Sequence, residues 1–570
     1  MRLWRLALVA CALGDAPQQS PPAAVYATQS HCLHHHLGRA VAAEAGATPD
    51  GDVEQPSARR LALVSSSLQC ADGVRCDAAG GRTNVSSISA GASGSLVRLL
   101  AVINIGSEAA PCRGNFRVLL TRDSHRARAH RKQKDGQEED LDTVTILPRV
   151  TSDGAGLIHV HAEIPAIAGP AVEGEWSLSV AIEQQAGEPN VRGCVKLNEQ
   201  TPGLAPPLNF SVAGRSNLTA FVENRPLCTS PSVPASSMFV GGWYGVQSIP
   251  ACMASNPKDA CTRTWQPSRC VMPSKDAQAT LRGKWLLFFG DSTVEESFYN
   301  LLYTAFRMSK TCAPMLKIEQ DHGHVNVSCD AFRRCGSCCR TDKFSWRNFD
   351  TGALGALPNR SRMTHVWIGN RDTCCNNEGL RVFRDGAWLE QTLSMLRARS
   401  SAGQEPDVIV LASGLHDIEQ AFGSLGCEVS PLNGLPQKQF TFTEFADNLE
   451  YAVRSLHARY PHAHFIVKTT NPAFQGYDCN TRHKNNGLPC CNAAIHLVNA
   501  IKFLTIERLA REGIRADVLD QWAFRYATPD EGDGHHCKAP PLGWAPSCRW
   551  AQDALLALIE RGMHAAAVVK

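Results

Sequence analysis

Five short runs between residues 284 and 520 limit the architecture of this chain more than any other feature. KWLLFFG (284–290), THVWIG (364–369), DVIVLASG (407–414), HFIVKTT (464–470) and ADVLD (516–520) are almost continuously apolar, where a strand with one wet face would alternate. Segments of helical spacing lie between them. The clearest follows Thr441, where Glu444 completes a capping box and Phe445, Leu449, Val453 and Leu456 recur on one face. Another runs from about 493 to 511, and a C-terminal one from about 550 to 563. Strands buried on both faces and alternating with helices require a parallel sheet covered on both sides, a doubly wound α/β domain over residues 235–570.

Upstream the period changes to two. Ile158, Val160, Ala162 and Ile164 alternate with His159, His161 and Glu163, and Trp176, Leu178, Val180 and Ile182 follow the same rule. With LVRLLAVINI, FRVLLTR and TVTILPRV nearby and Gly-rich turns between, residues 91–225 read as a small antiparallel β-sandwich. Residues 16–90 are rich in Ala, Gly, Ser, Pro and His and read as a flexible low-complexity arm. Residues 1–15 carry two arginines, a short apolar stretch and small residues, the layout of a signal peptide. A short buried segment or an atypical anchor is the competing reading of that stretch.

The chain has 23 cysteines, and removing the leader takes Cys11 with it, which leaves an even number for an oxidising lumen. Cys335, Cys338, Cys339, Cys374, Cys375, Cys490 and Cys491 are clustered, yet vicinal pairs are awkward joint ligands of one tetrahedral zinc, so disulfides are expected and no metal. Asn-x-Ser/Thr sequons at Asn84, Asn209, Asn217, Asn326 and Asn359 fit a secretory-pathway chain, in the Golgi lumen or outside the cell. With 57 basic against 54 acidic residues, nucleic acid is excluded as the main partner, and no apolar run reaches the roughly 18 residues of a membrane span.

In an open parallel sheet the chemistry gathers beyond the carboxyl ends of the strands. The first strong strand ends in Gly290-Asp291-Ser292, and Val294, Phe298, Leu301 and Leu302 begin a helix at once. A serine there faces backbone N–H groups suited to an oxyanion, although the same tripeptide is also an ordinary turn with a helix cap. After the last strand, Asp533-Gly534-His535-His536 supplies a carboxylate and an imidazole one turn apart. A serine hydroxyl needs such a base, and the base needs a carboxylate to fix its tautomer; a Gly/His-rich surface loop is the alternative. Ser413-Gly414-Leu415-His416-Asp417 closes the middle strand, with His416 as an oxyanion donor or a structural histidine.

This ordered set resembles the SGNH (GDSL-type) hydrolase superfamily, and within it the PC-esterase branch, which includes trichome-birefringence-like polysaccharide O-acetyltransferases and neurexophilin-and-PC-esterase proteins. The resemblance covers about residues 235–570, and the sandwich ahead of it is similar to the immunoglobulin- or filamin-like module of the neurexophilin-type members. It implies Ser292 as nucleophile, His536 as general base and Asp533 as its partner, with Gly290, Asp291, Gly414 and His416 around the oxyanion. His416 stands where the superfamily usually has asparagine, so a further donor is needed. Gly369 or Asn370, at the end of the second strand, is assigned that place. His535 neighbours His536, and the D-x-x-H match selects His536.

The function expected is a serine-dependent carbohydrate O-acyl esterase or O-acetyltransferase, foremost for acetyl groups, working through an acyl-serine without a cofactor. Its partners would be a glycan or polysaccharide and an acyl donor. The rival is a non-catalytic recognition protein of neurexophilin type, motivated by the change to His416.

Overall fold

The computed structural model describes residues 62–71, 75–78, 83–88, 95–104, 114–123, 144–146, 148–152, 157–165, 174–185, 208–213, 225–245, 263–272, 276–306, 317–320, 323–326, 346–350, 361–368, 379–398, 404–414, 417, 442–472, 491–526 and 546–569. Two sheets come first in the chain. Their strands are β1 (Ala62–Ala71), β2 (Arg75–Ala78), β3 (Thr83–Ile88), β4 (Ser95–Asn104), β5 (Gly114–Asp123), β6 (Val144–Ile146), β7 (Arg149–Ser152), β8 (Leu157–Pro165), β9 (Gly174–Gln185), β10 (Leu208–Ala213), β11 (Gly241–Gly245) and β12 (Arg263–Pro267). Among the described residues one sheet has the order β3-β1-β4-β8-β7 and the other β12-β11-β6-β5-β9-β10-β2. Alternation explains their meeting. Leu68, Val97, Leu99, Ile158 and Val160 of the first and Val118, Leu120, Trp176 and Phe210 of the second enter one apolar cluster.

Three observations differ from the sequence expectation. The stretch 16–90, read as an arm, contributes β1, β2 and β3 within 62–88, with β1 inside its sheet. Its serine-rich sequence hides the apolar alternation, of which Leu68 and Cys70 are the buried members. Pairing is not antiparallel throughout, since β1 and β3 run parallel. Finally, β11 and β12, beyond residue 235, extend the second sheet through β6.

The third sheet follows, with α1 (Ala277–Leu281), β13 (Trp285–Gly290), α2 (Ser292–Phe306), β14 (Lys317–Gln320), β15 (Gly323–Asn326), β16 (Trp346–Asp350), β17 (Arg362–Trp367), α3 (Gly386–Ala398), β18 (Val408–Leu411), α4 (Phe442–Arg459), β19 (His464–Lys468), α5 (Cys491–Arg511), β20 (Ala516–Leu519), α6 (Gln521–Tyr526) and α7 (Pro546–Val569). Its order is β15-β14-β16-β17-β13-β18-β19-β20. The pairs β17–β13, β13–β18, β18–β19 and β19–β20 are parallel, and β16, β14 and β15 add an antiparallel edge. Numbered by appearance, the parallel strands stand in the order 2-1-3-4-5, the flavodoxin arrangement.

Both faces are covered, and β13 shows why. Trp285, Leu287 and Phe289 point to the side packed by α3, α4 and α5, while Leu286 and Phe288 point to the side packed by α1, α2 and α7. Strand β17 begins earlier than its apolar run indicates, because the Arg362 guanidinium lies 4.0 Å over the Trp285 ring and is buried there. Helix α7 begins at Pro546, where the missing N–H costs nothing. Disulfides join Cys70 to Cys76 and Cys228 to Cys270. The clustered cysteines from Cys335 to Cys490 lie outside the described residues. Among those residues no helix is long and apolar enough to cross a membrane.

Candidate functional site

The order 2-1-3 puts the topological switch point beside β13 and β18, whose carboxyl ends run level, Phe289 facing Leu411. Two predicted blocks emerge there together. Gly290 and Asp291 end β13, and Ser413 and Gly414 follow β18.

Gly290 is required by packing. A methyl on it would overlap Val294 of α2 and press on the Ala412 carbonyl of the neighbouring strand, so only glycine lets the helix start this close to the sheet. Asp291 is buried and caps α2. Its Oδ1 accepts from the Thr293 N–H at 2.9 Å and the Thr293 hydroxyl at 2.7 Å, and its own carbonyl accepts from the N–H groups of Val294 (3.1 Å) and Glu295 (3.0 Å). The turn is therefore a helix cap as well as a strand end. Ser292 opens the helix, with the backbone donors after it already engaged.

On the neighbouring strand Gly414 has φ +144°, and a side chain there would run into the Thr470 hydroxyl and Val498. Asp417 is buried just beyond; its carboxylate accepts from the Ser413 hydroxyl and from the Leu380 N–H, the latter at 3.2 Å. Ser413, Gly414 and Asp417 are thus each held in place.

Behind these turns lies a group of polar side chains that the sequence reading missed. Lys468, at the end of β19, and Lys502, on α5, are both fully buried. The Lys468 ammonium donates to the Thr293 carbonyl at 2.6 Å and to the Ser297 hydroxyl at 3.1 Å, both in the first turns of α2. The Lys502 ammonium donates to the Lys468 carbonyl at 3.0 Å and to Thr470 Oγ1 at 2.9 Å, and Thr470 Oγ1 donates to the Ser413 carbonyl at 3.0 Å. Asn499 accepts from the Thr470 N–H at 2.7 Å and donates to its carbonyl at 3.0 Å, prolonging β19 as a further strand would. Burial pushes Lys468 down to about 8 against the pull of Glu296 and Asp291, and Lys502 down to about 7 against that of Asp291 and Asp417. One signal was available: a lysine set among the apolar residues of HFIVKTT has no wet face to occupy.

The structure brings Gly290, Asp291, the backbone of Ser292 and Gly414 to one edge of the sheet. His416, Gly369, Asn370, Asp533, His535 and His536 lie outside the described residues. What the described part offers is a rigid serine turn at a helix N-terminus, next to a second turn locked by Asp417 and Thr470.

No family model matches the chain, and no curated protein matches it. Solved structures similar to it include a carbohydrate esterase family 2 enzyme with a carbohydrate-binding domain from Corynascus thermopiles (Myceliophthora fergusii), at 15% identity and a TM-score of 0.22 over 87% of this chain and 100% of that one. Another is a salicylyl-acyltransferase from a tetracycline biosynthetic pathway, at 12% identity and a TM-score of 0.21 over 90% of this chain and 99% of that one.

Proposed function

We propose that this chain is a serine-dependent carbohydrate O-acyl esterase or O-acetyltransferase of SGNH type, foremost for acetyl groups, acting in the secretory pathway or outside the cell. The observation that carries the reading is the meeting of the Gly290-Asp291-Ser292 turn and the Ser413-Gly414 turn at the switch point of a 2-1-3-4-5 sheet. The preceding two-sheet unit is read as the immunoglobulin- or filamin-like module.

In the proposed cycle Ser292 Oγ attacks the acyl carbonyl carbon and passes its proton to His536, which Asp533 orients. The oxyanion takes a hydrogen bond from the Ser292 N–H, which we select because the N–H groups of Thr293, Val294 and Glu295 are committed to Asp291. His416 and the 369–370 segment complete the donors. Collapse breaks the ester C–O bond, and the leaving sugar oxygen recovers the proton from His536. Water or a sugar hydroxyl then attacks the acyl-serine, its proton going to His536, and Ser292 is released protonated.

The test is mass spectrometry of the secreted protein after exposure to acetyl-ester donors. Wild type is expected to carry acetyl mass on the peptide containing Ser292, and Ser292→Ala none. Absence of the adduct from folded wild type with several donors would favour the recognition-protein reading instead.

A further inference from the structure

Two fully buried ammonium groups are costly. Each gives up hydration, and replacing such a group by an apolar side chain of like length is often neutral or stabilising. Among the described residues no carboxylate forms an ion pair with Lys468 or Lys502. What compensates them, beside the pull of Asp291, Glu296 and Asp417, is a set of hydrogen bonds whose acceptors lie in the first turns of α2 and at the end of β19.

Lys468 reaches past β18 to α2. By binding the Thr293 carbonyl and the Ser297 hydroxyl, it fixes the first turn of the helix that Ser292 opens. Ser297 Oγ also donates to the Thr293 carbonyl, at 3.2 Å, so one ammonium and one hydroxyl share a single carbonyl. Lys502 holds the other end. It ties the Lys468 carbonyl to Thr470 Oγ1, which in turn grips the Ser413 carbonyl. A continuous run of hydrogen bonds therefore joins the Ser292 helix to the Ser413–Gly414 turn by way of β19.

We propose that Lys468 is a positioning residue for Ser292, holding the first turn of α2 at a fixed setting relative to the Ser413–Gly414 turn, with Lys502 securing the strand end on which both hang. This rests on the reading of Ser292 as nucleophile. Its acceptors are a backbone carbonyl and a hydroxyl behind the turn, so it touches neither substrate nor reacting atoms. Its loss should therefore be felt in the rate of acylation and not in substrate capture.

The experiment uses the full secreted chain in four forms: wild type, Ser292→Ala, Lys468→Met and Ser297→Ala. Two quantities are read, kcat and KM for an acetyl-ester donor and amide hydrogen exchange across residues 292–298. Lys468→Met is expected to lower kcat at least tenfold with KM within twofold, and to speed exchange in the first turn of α2. Ser297→Ala, which removes one acceptor and leaves the core intact, is expected to do both to a smaller degree and keeps the test decisive should Lys468→Met fail to fold. Unchanged exchange at 292–298 in the folded variants overturns the positioning role, as does a loss confined to KM. Full turnover by Ser292→Ala would instead overturn the nucleophile assignment, while the exchange data still decide whether Lys468 holds the helix.

Discussion

Glycine is chosen at the site for reasons that a substitution series separates. Gly414 combines φ +144° with close approach of the Thr470 hydroxyl, whereas Gly386, at the start of α3, has nothing near the position a methyl would take. Gly414→Ala is expected to cost about 1–3 kcal/mol in strain and displaced contacts, and Gly386→Ala to be neutral or stabilising by up to about 1 kcal/mol through helix propensity. Urea denaturation of both variants checks this; equal effects would mean that the Gly414 conformation is not enforced. At this scale the sequence was readable in part. Gly290, Asp291 and Gly414 announced themselves because a tight strand-to-helix turn admits few residue types. Lys468 and Lys502 did not, since burial of a lysine depends on acceptors supplied by Thr293, Ser297 and Thr470, far away in the chain.

Elements were legible where one physical cause dominates. Continuous apolarity in β13, β18 and β19 follows from having a core on each side, and the alternate residues do divide between two clusters. The segment around β11 and β12 was not legible, because its placement is decided by tertiary contacts. Trp243 and Trp265 face each other across this ribbon with ring centres 5.5 Å apart. Trp243 Nε1 donates to the Phe524 carbonyl at 3.0 Å and Trp265 Nε1 to the Met238 carbonyl at 2.9 Å. Strand β11, next to the edge of the second sheet, is thereby bonded to α6. Trp243→Ala is expected to lower the unfolding free energy by about 3–5 kcal/mol, and Trp243→Phe, which keeps most of the ring and loses the donor, by about 1–2 kcal/mol. Denaturation followed by fluorescence and by circular dichroism measures both. If Trp243→Phe cost as much as Trp243→Ala, the indole hydrogen bond and not the packing would dominate the junction.

Taken across the whole molecule, the lysine pair gives folding a pH dependence whose sign can be worked out. In the unfolded chain a lysine holds its proton up to about pH 10. In the fold, burial lowers Lys502 to about 7, with Asp291 and Asp417 opposing and Lys468 assisting; it lowers Lys468 to about 8, with Glu296 and Asp291 opposing and Arg525 assisting. Between those values and pH 10 the unfolded state binds more protons than the native state, so stability rises with pH in that window. Below about pH 7 both states are protonated and the full burial cost is carried. Each lysine contributes a slope of up to about 1.4 kcal/mol per pH unit. Lys502→Met removes one of the two, so between pH 8 and 9 its unfolding free energy should climb less steeply than wild type by about 1 kcal/mol per pH unit. Parallel curves would show that Lys502 stays charged in the native state. The cost would then be carried at every pH, and the hydrogen bonds to the Lys468 carbonyl and Thr470 would have to offset a full buried charge on their own.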